Sequence, residues 1–260
     1  MTVVLSSVLA VFGTAVLAVV LAQVIYRLLP ARIQLEFRGH GTPIAIAVGV
    51  LFALTAGLAI LIAQAELSQA SHSVRQEASA AVDLYWYAQT LDDPVKTKIK
   101  AALRAYDTEV RGREWQQMAD RGQMSMVAEG YLSQVRKELL ALAPAANGPD
   151  SRYRQALREL DTLTDARRER TNAMTEGIPS DLWYGLIISG ILLLGVVVVF
   201  GGPGAVTRGV LAFVAGGGIA FVIVLAQQLD HPFQGVIVVS SRPLAAAGEA
   251  FDDIDAIYRG

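Results

Sequence analysis

The chain has no cysteine among its 260 residues, and only 18% of them carry charge. Without a thiol there is no disulfide frame, no cysteine nucleophile, no iron–sulfur cluster and no cysteine-ligated zinc. Soluble domains carry about 25% charged residues, so the deficit excludes an ordinary soluble protein. Positive charge is not in excess either: the net charge is −2 and the sequence pI is about 5.9, which disfavours a nucleic-acid partner. The three histidines, His40, His72 and His231, lie in separate segments, and none has the spacing of a zinc site. No phosphate loop, dinucleotide fingerprint or G-x-S-x-G nucleophile elbow occurs. The sequence therefore predicts no cofactor, no metal and no enzymatic activity.

What is abundant is apolar length. Hydrophobic residues make up 53% of the chain and its mean hydropathy is +0.41. A bilayer core about 30 Å thick takes roughly 20 apolar residues per helical crossing. Four runs meet that need, over residues 3–26, 43–65, 182–200 and 209–229. The first is too long, and lacks the basic leader, for a cleaved signal peptide. Each run is free of charge, which argues against a pump or coupled transporter that would keep ionisable relays inside the membrane. Four crossings put the segment between the second and third on the same side as both termini. The short loops carry Arg27, Arg32, Arg38 and Arg208. By the positive-inside rule these loops are cytoplasmic and the middle domain extracytoplasmic, although Arg167, Arg168 and Arg170 lie near the third crossing and pull the other way.

Residues 66–181 hold 18 acidic and 16 basic side chains, so charge returns to normal there. The pattern is helical. Asp93 and Pro94 read as a cap and first helical residue, and Val95, Ile99, Leu103, Tyr106 and Val110 then form one apolar stripe. Val127, Tyr131, Val135 and Leu139 form a second, ended by the Pro144 to Pro149 loop. Asp150 or Ser151 caps a third helix with Tyr153, Leu157 and Leu160, and the stretch from Glu66 to about Leu91 prolongs the second crossing. The expected fold is thus an all-α membrane protein: four transmembrane helices with a helical-bundle extramembrane domain inserted between helices two and three. Its parts are a first helix pair (1–65), the helical domain (66–181), a second helix pair (182–229) and a tail (230–260) with a short amphipathic helix from Pro243.

Candidate functional residues are few. Ala212, Gly216 and Ala220 repeat at four-residue spacing, which lets helix backbones approach closely. Gly217 and Gly218 beside them suggest either packing or a pore lining. Asp230 and His231 stand where the fourth crossing ends and are candidates for the flank of an ion pathway, with a side-chain-stabilised turn as the plainer role. Tyr85, Trp86 and Tyr87 read as bundle core, and Arg167, Arg168 and Arg170 as a solvated face paired with Asp165 and Glu169.

Four stretches carry a resemblance: EASAAVDLYWYAQTL (77–91), ALRAYDTEVRGREWQQM (102–118), DARRERTNAMTEGIPSDLW (165–183) and LDHPFQGVIVVSSRPL (229–244). In these the chain resembles the bestrophin-like family of prokaryotic membrane proteins, whose distant relatives are pentameric anion channels, calcium-gated in animals. No acidic calcium clasp is matched by Asp252, Asp253 and Asp255, and Phe12 and Phe52 are too isolated for an aromatic pore neck. The resemblance implies a homo-oligomeric, passive ion channel in the inner membrane, with anions as the expected ions, regulated by its helical domain. The alternative is a non-conducting scaffold or sensor whose helical domain binds a protein partner.

Overall fold

The computed structural model describes residues 2–28, 41–142, 151–175, 177–200, 204–234 and 237–258. Arg32, Arg38 and His40, the Pro144 to Pro149 loop and the Asp150 cap lie outside the described residues. Among the described residues the chain is helical and has no strand. In order, the helices are α1 (Thr2–Leu28), α2 (Gly41–Gln89), α3 (Val95–Glu109), α4 (Trp115–Arg121), α5 (Met126–Ala141), α6 (Ser151–Thr175), α7 (Ser180–Phe200), α8 (Ala205–Leu229) and α9 (Arg242–Ile257). A π turn, Val110–Glu114, joins α3 to α4. Gly122, at φ 61°, ends α4, a conformation that favours a residue without Cβ. Residues 66–89 do prolong the second apolar run as one 49-residue helix.

The chain divides into two compact units. The first, residues 1–65 and 177–231, holds the apolar helices. Four helices are long and apolar enough to cross a bilayer: α1, α2 from Pro43, α7 and α8. Their outward side chains are large and apolar, as at Leu9, Leu54, Ile191 and Val214, while the contacts between helices are made by alanine. That is the membrane pattern, because without water between helices close packing by small residues replaces hydrophobic burial. A Thr55–Ser189 hydroxyl pair at 3.0 Å links α2 to α7, and Gln228 donates to Ser7 at 2.9 Å between α8 and α1.

The second unit, residues 66–176 and 232–260, is a helical bundle with one hydrophobic core. The α3 stripe of Ile99, Leu103, Tyr106 and Val110 is fully buried. On α5 the inward set is Ala128, Leu132, Val135 and Leu139; Val127, expected inside, is 45% exposed. Val135 and Leu139 are buried as expected and Tyr131 packs against the core, so only Val127, in the first turn after the Ser125 cap, leaves the expected face. The tail belongs to this unit. Helix α9 places Leu244, Ala247, Phe251 and Ile254 in the core, and the Phe251 ring stacks on Tyr85 with centroids 4.3 Å apart. Tyr85 is core and Tyr87 packs against it, whereas Trp86 is 41% exposed.

Candidate functional site

In the membrane unit, the small-residue candidates lie along the contact between α8 and α1. Ala212, Gly216 and Ala220 are buried there. A Cβ on Gly216 would stand 2.5 Å from Cβ of Ala18, so only glycine permits this approach. Gly217 is half-buried beside Ala15, and Gly218 faces open space. At the far end of α8, Oδ1 of Asp230 accepts a hydrogen bond from the Ile178 N–H and braces the turn that leads into α7. His231 next to it is exposed.

Among the described residues the most elaborate site is in the helical unit. Helix α2 carries a stripe of Ala70, Val74, Glu77, Ala81, Leu84 and Ala88, all buried, with one carboxylate among apolar neighbours. Helix α6 carries Ala156, Leu160, Leu163, Arg167 and Arg170, again a buried stripe with charge inside it. The third contributor lies in the π turn. An uninterrupted 3.6-residue period after Ile99, Leu103, Tyr106 and Val110 would turn Gln117 inward. The extra residue of a π turn delays that inward position, so Met118 is buried instead, one turn after the buried Glu114.

These residues close on one another. Arg167 grips Glu114 with two bonds, Nη1 to Oε1 at 2.8 Å and Nη2 to Oε2 at 2.7 Å. Arg170 Nη2 bridges the two carboxylates, 2.8 Å from Glu114 Oε1 and 3.0 Å from Glu77 Oε1. The Tyr106 hydroxyl donates to Glu77, the Ser125 N–H donates to Glu114 at 2.9 Å, and Arg167 donates to the Ser125 carbonyl at 2.9 Å. Two glutamates and two arginines make the cluster neutral, which is what burial of four charges requires. Burial pushes the Glu114 carboxyl up, but the Arg167 hydrogen bonds and the charges of Arg170 and Arg167 outweigh it and hold it below its ordinary range. Burial, with the Glu77 charge second, pushes the Tyr106 hydroxyl well up, so it remains a donor.

This corrects the sequence expectation for the arginine run. Arg167 and Arg170 are buried ion-pair partners, and only Arg168 is solvated, paired with Asp165 at 3.1 Å. Glu77 and Glu114 were not singled out from sequence. The signal was available at Glu77, a charge at an apolar register position. It was available in the same way at Glu114, four residues after Val110; what the π turn hid was the next inward position, Met118 in place of Gln117.

A second cluster holds the tail. Tyr85, Lys100 and Arg104 converge on the Asp255 carboxylate of α9, with the Tyr85 hydroxyl at 2.8 Å and Arg104 Nη2 at 2.9 Å. Burial raises the Asp255 pKa, but the hydrogen bonds from Lys100, Tyr85 and Arg104 prevail and bring it down to about 2. Burial and the bond to Asp255 push the Tyr85 hydroxyl up to about 12. Both clusters pair their charges internally, Arg170 Nε and Glu77 Oε2 standing 3.0 Å apart as an ion pair, so they hold helices together. Among the described residues no group of three or more His, Asp or Glu side chains could hold a metal ion.

The chain matches the Bestrophin-like domain over residues 12–244. It is similar in fold to crystal structures of a bacterial bestrophin homologue from Klebsiella pneumoniae. One matches with TM-score 0.74 at 15% identity, covering 98% of this chain and 99% of that one. Another matches with TM-score 0.68 at 15% identity, covering 95% and 98%. A crystal structure described only as a membrane protein matches with TM-score 0.67 at 14% identity, covering 93% and 98%. No curated protein matches the sequence. At these identities the structures speak for the fold, and the domain match over most of the chain speaks for descent: the protein belongs to the bestrophin-like family.

Proposed function

We propose that the protein is a passive ion channel of the inner membrane, assembled from several copies, selective for anions and regulated by its helical unit. The observation that carries this reading is family membership, because the known members of the family are membrane ion channels. The helix contacts support the need for several copies. Gly216 against Ala18 and Gly190 against Ile219 and Phe52 bring neighbouring helices too close for a water path between them. Conduction then requires an axis shared by copies.

The open face of α2 in the membrane unit supplies a lining. Val50, Leu54, Gly57, Leu61 and Gln64 recur at three- and four-residue spacing, uncharged and exposed. An apolar ring of this kind gates by excluding water, with no ionisable group required. We assign this face to the pore, and Ala212, Gly216 and Ala220 to helix packing. Gly217 and Gly218 are left to the periphery of α8, and Asp230 and His231 to the pathway's flank. In this arrangement the helical unit is an insertion between the second and third crossings, completed by the tail.

Current across a planar bilayer containing the purified protein, with chloride and potassium replaced in turn, tests the reading. Discrete steps whose reversal potential follows chloride are expected, and Leu61→Ser is expected to raise their conductance. Silence from folded, inserted protein would instead support the scaffold. The side faced by the helical unit is open to labelling of a cysteine placed at Lys137, an exposed site in a chain with no cysteine of its own. Under the loop-charge rule it reacts from outside the cell, and reaction only after permeabilisation would reverse the topology.

A further inference from the structure

Where the end of α1 meets the start of α8, the membrane unit has an open crevice of about 510 Å³, lined by Val19, Gln23, Ala205, Val206, Gly209, Val210 and Phe213. Its walls are almost wholly apolar. Gly209 forms part of the floor: a Cβ there would meet Val19 and Gln23 at 3.7 Å. The Gln23 amide is engaged, donating to the Ala205 carbonyl at 2.7 Å.

The crevice runs toward charge. Val19, Gln23 and Arg27 follow one another at four-residue spacing on one face of α1, and Arg27, in its last turn, is exposed and makes no ion pair among the described residues. Arg208 adds a second positive charge at this end, its guanidinium lying over the Tyr26 ring. The acidic side chains of the described membrane unit, Asp181 and Asp230, stand at the other end, at the start of α7 and the close of α8. An apolar slot within a membrane span, opening at its boundary onto cations, has the form of an amphiphile with an anionic head.

We propose that this crevice binds an anionic phospholipid, with an acyl chain along Val19, Gly209, Val210 and Phe213 and the phosphate at Arg27. A second copy of the chain would cover the apolar wall, but that wall alone gives no use to the exposed cation one turn beyond it, which a phosphate does. The lipid supplies both parts.

The probe is phosphatidylglycerol against phosphatidylcholine, mixed in nanodiscs holding the full-length protein, with retained lipid counted by native mass spectrometry. The wild type is expected to retain phosphatidylglycerol preferentially, and Arg27→Gln to reduce that preference about fivefold, the worth of one cation at the membrane surface. Gly209→Leu, which fills the floor, is expected to lower retention of both lipids. Should that variant fail to fold, Val206→Trp decides, because Val206 is 80% exposed and narrows the crevice from its open side. Equal retention of the two lipids by the wild type would overturn the proposal. So would unchanged phosphatidylglycerol retention in both crevice variants, or a change of oligomer size in them with retention intact, which would assign the groove to a second copy.

Discussion

Arg170 is fully buried and touches Glu77, Glu114 and the sulfur of Met118. Replacing it with Met strands the Glu77 carboxylate without its counter-ion and leaves Glu114 to Arg167 alone. A broken buried pair costs about 3–5 kcal/mol, so the helical unit is expected to melt well below the wild type. Arg168→Met, which removes only an exposed pair, is expected to shift stability by less than about 1 kcal/mol. Circular dichroism melts of the two variants separate a buried role from a solvated one. Acid acts on the same chemistry. Folding lowers the pKa of Glu114 and of Asp255, so the stability they contribute is complete above the ordinary carboxylate range of about 4. It is lost as pH falls toward their folded values, about 2 for Asp255. The melting difference between wild type and Asp255→Asn should therefore be widest near neutrality and close as pH approaches 2, and a constant gap across that range would contradict the assignment.

At the scale of the element, the π turn decides which face of its helix reaches the core. Inserting one alanine after Gly112 adds about 100° of helix rotation and turns Glu114 and Met118 away from their partners, so it should destabilise the unit about as much as losing the ion pairs themselves. Gly112→Ala is the control, because a Cβ there meets nothing within 4 Å. It should be neutral or stabilising by up to about 1 kcal/mol. Equal loss in both, measured by thermal melting, would show that the glycine and not the register matters. In the membrane unit the corresponding pair is Gly216→Val and Gly218→Ala. The first would push α8 off α1, since even a Cβ there stands 2.5 Å from Ala18, and the second points into open space. Only the first is expected to lower the yield of folded protein in detergent.

For the whole molecule, the tail is the test of how its units are made. Ending the chain after Ser241 removes Leu244, Ala247, Phe251 and Ile254 from the core and leaves Tyr85, Lys100 and Arg104 without Asp255. Fully burying one large apolar side chain is worth about 1.5–3 kcal/mol, so the loss of three such side chains should unfold the helical unit. The four apolar helices, held together by their own contacts, should remain inserted. Proteolysis of the truncated protein in membranes would then cleave within residues 66–176 and spare the spans.

The four helices long and apolar enough to cross a bilayer, the prolonged second helix and the α3 stripe were all legible in the sequence, because length and periodicity of apolar residues are local properties. Family membership was legible too, in four stretches that spread across the chain. The site candidates were legible only as spacing. That Gly216 seats on Ala18 while Gly218 two residues later faces outward depends on which helix lies opposite, which spacing does not encode. The buried cluster was least legible of all. An arginine run reads as solvent-facing until carboxylates from two other helices, 93 and 53 residues away in sequence, arrive to neutralise it. Burial of charge is decided by the partner, and the partner is supplied by tertiary structure.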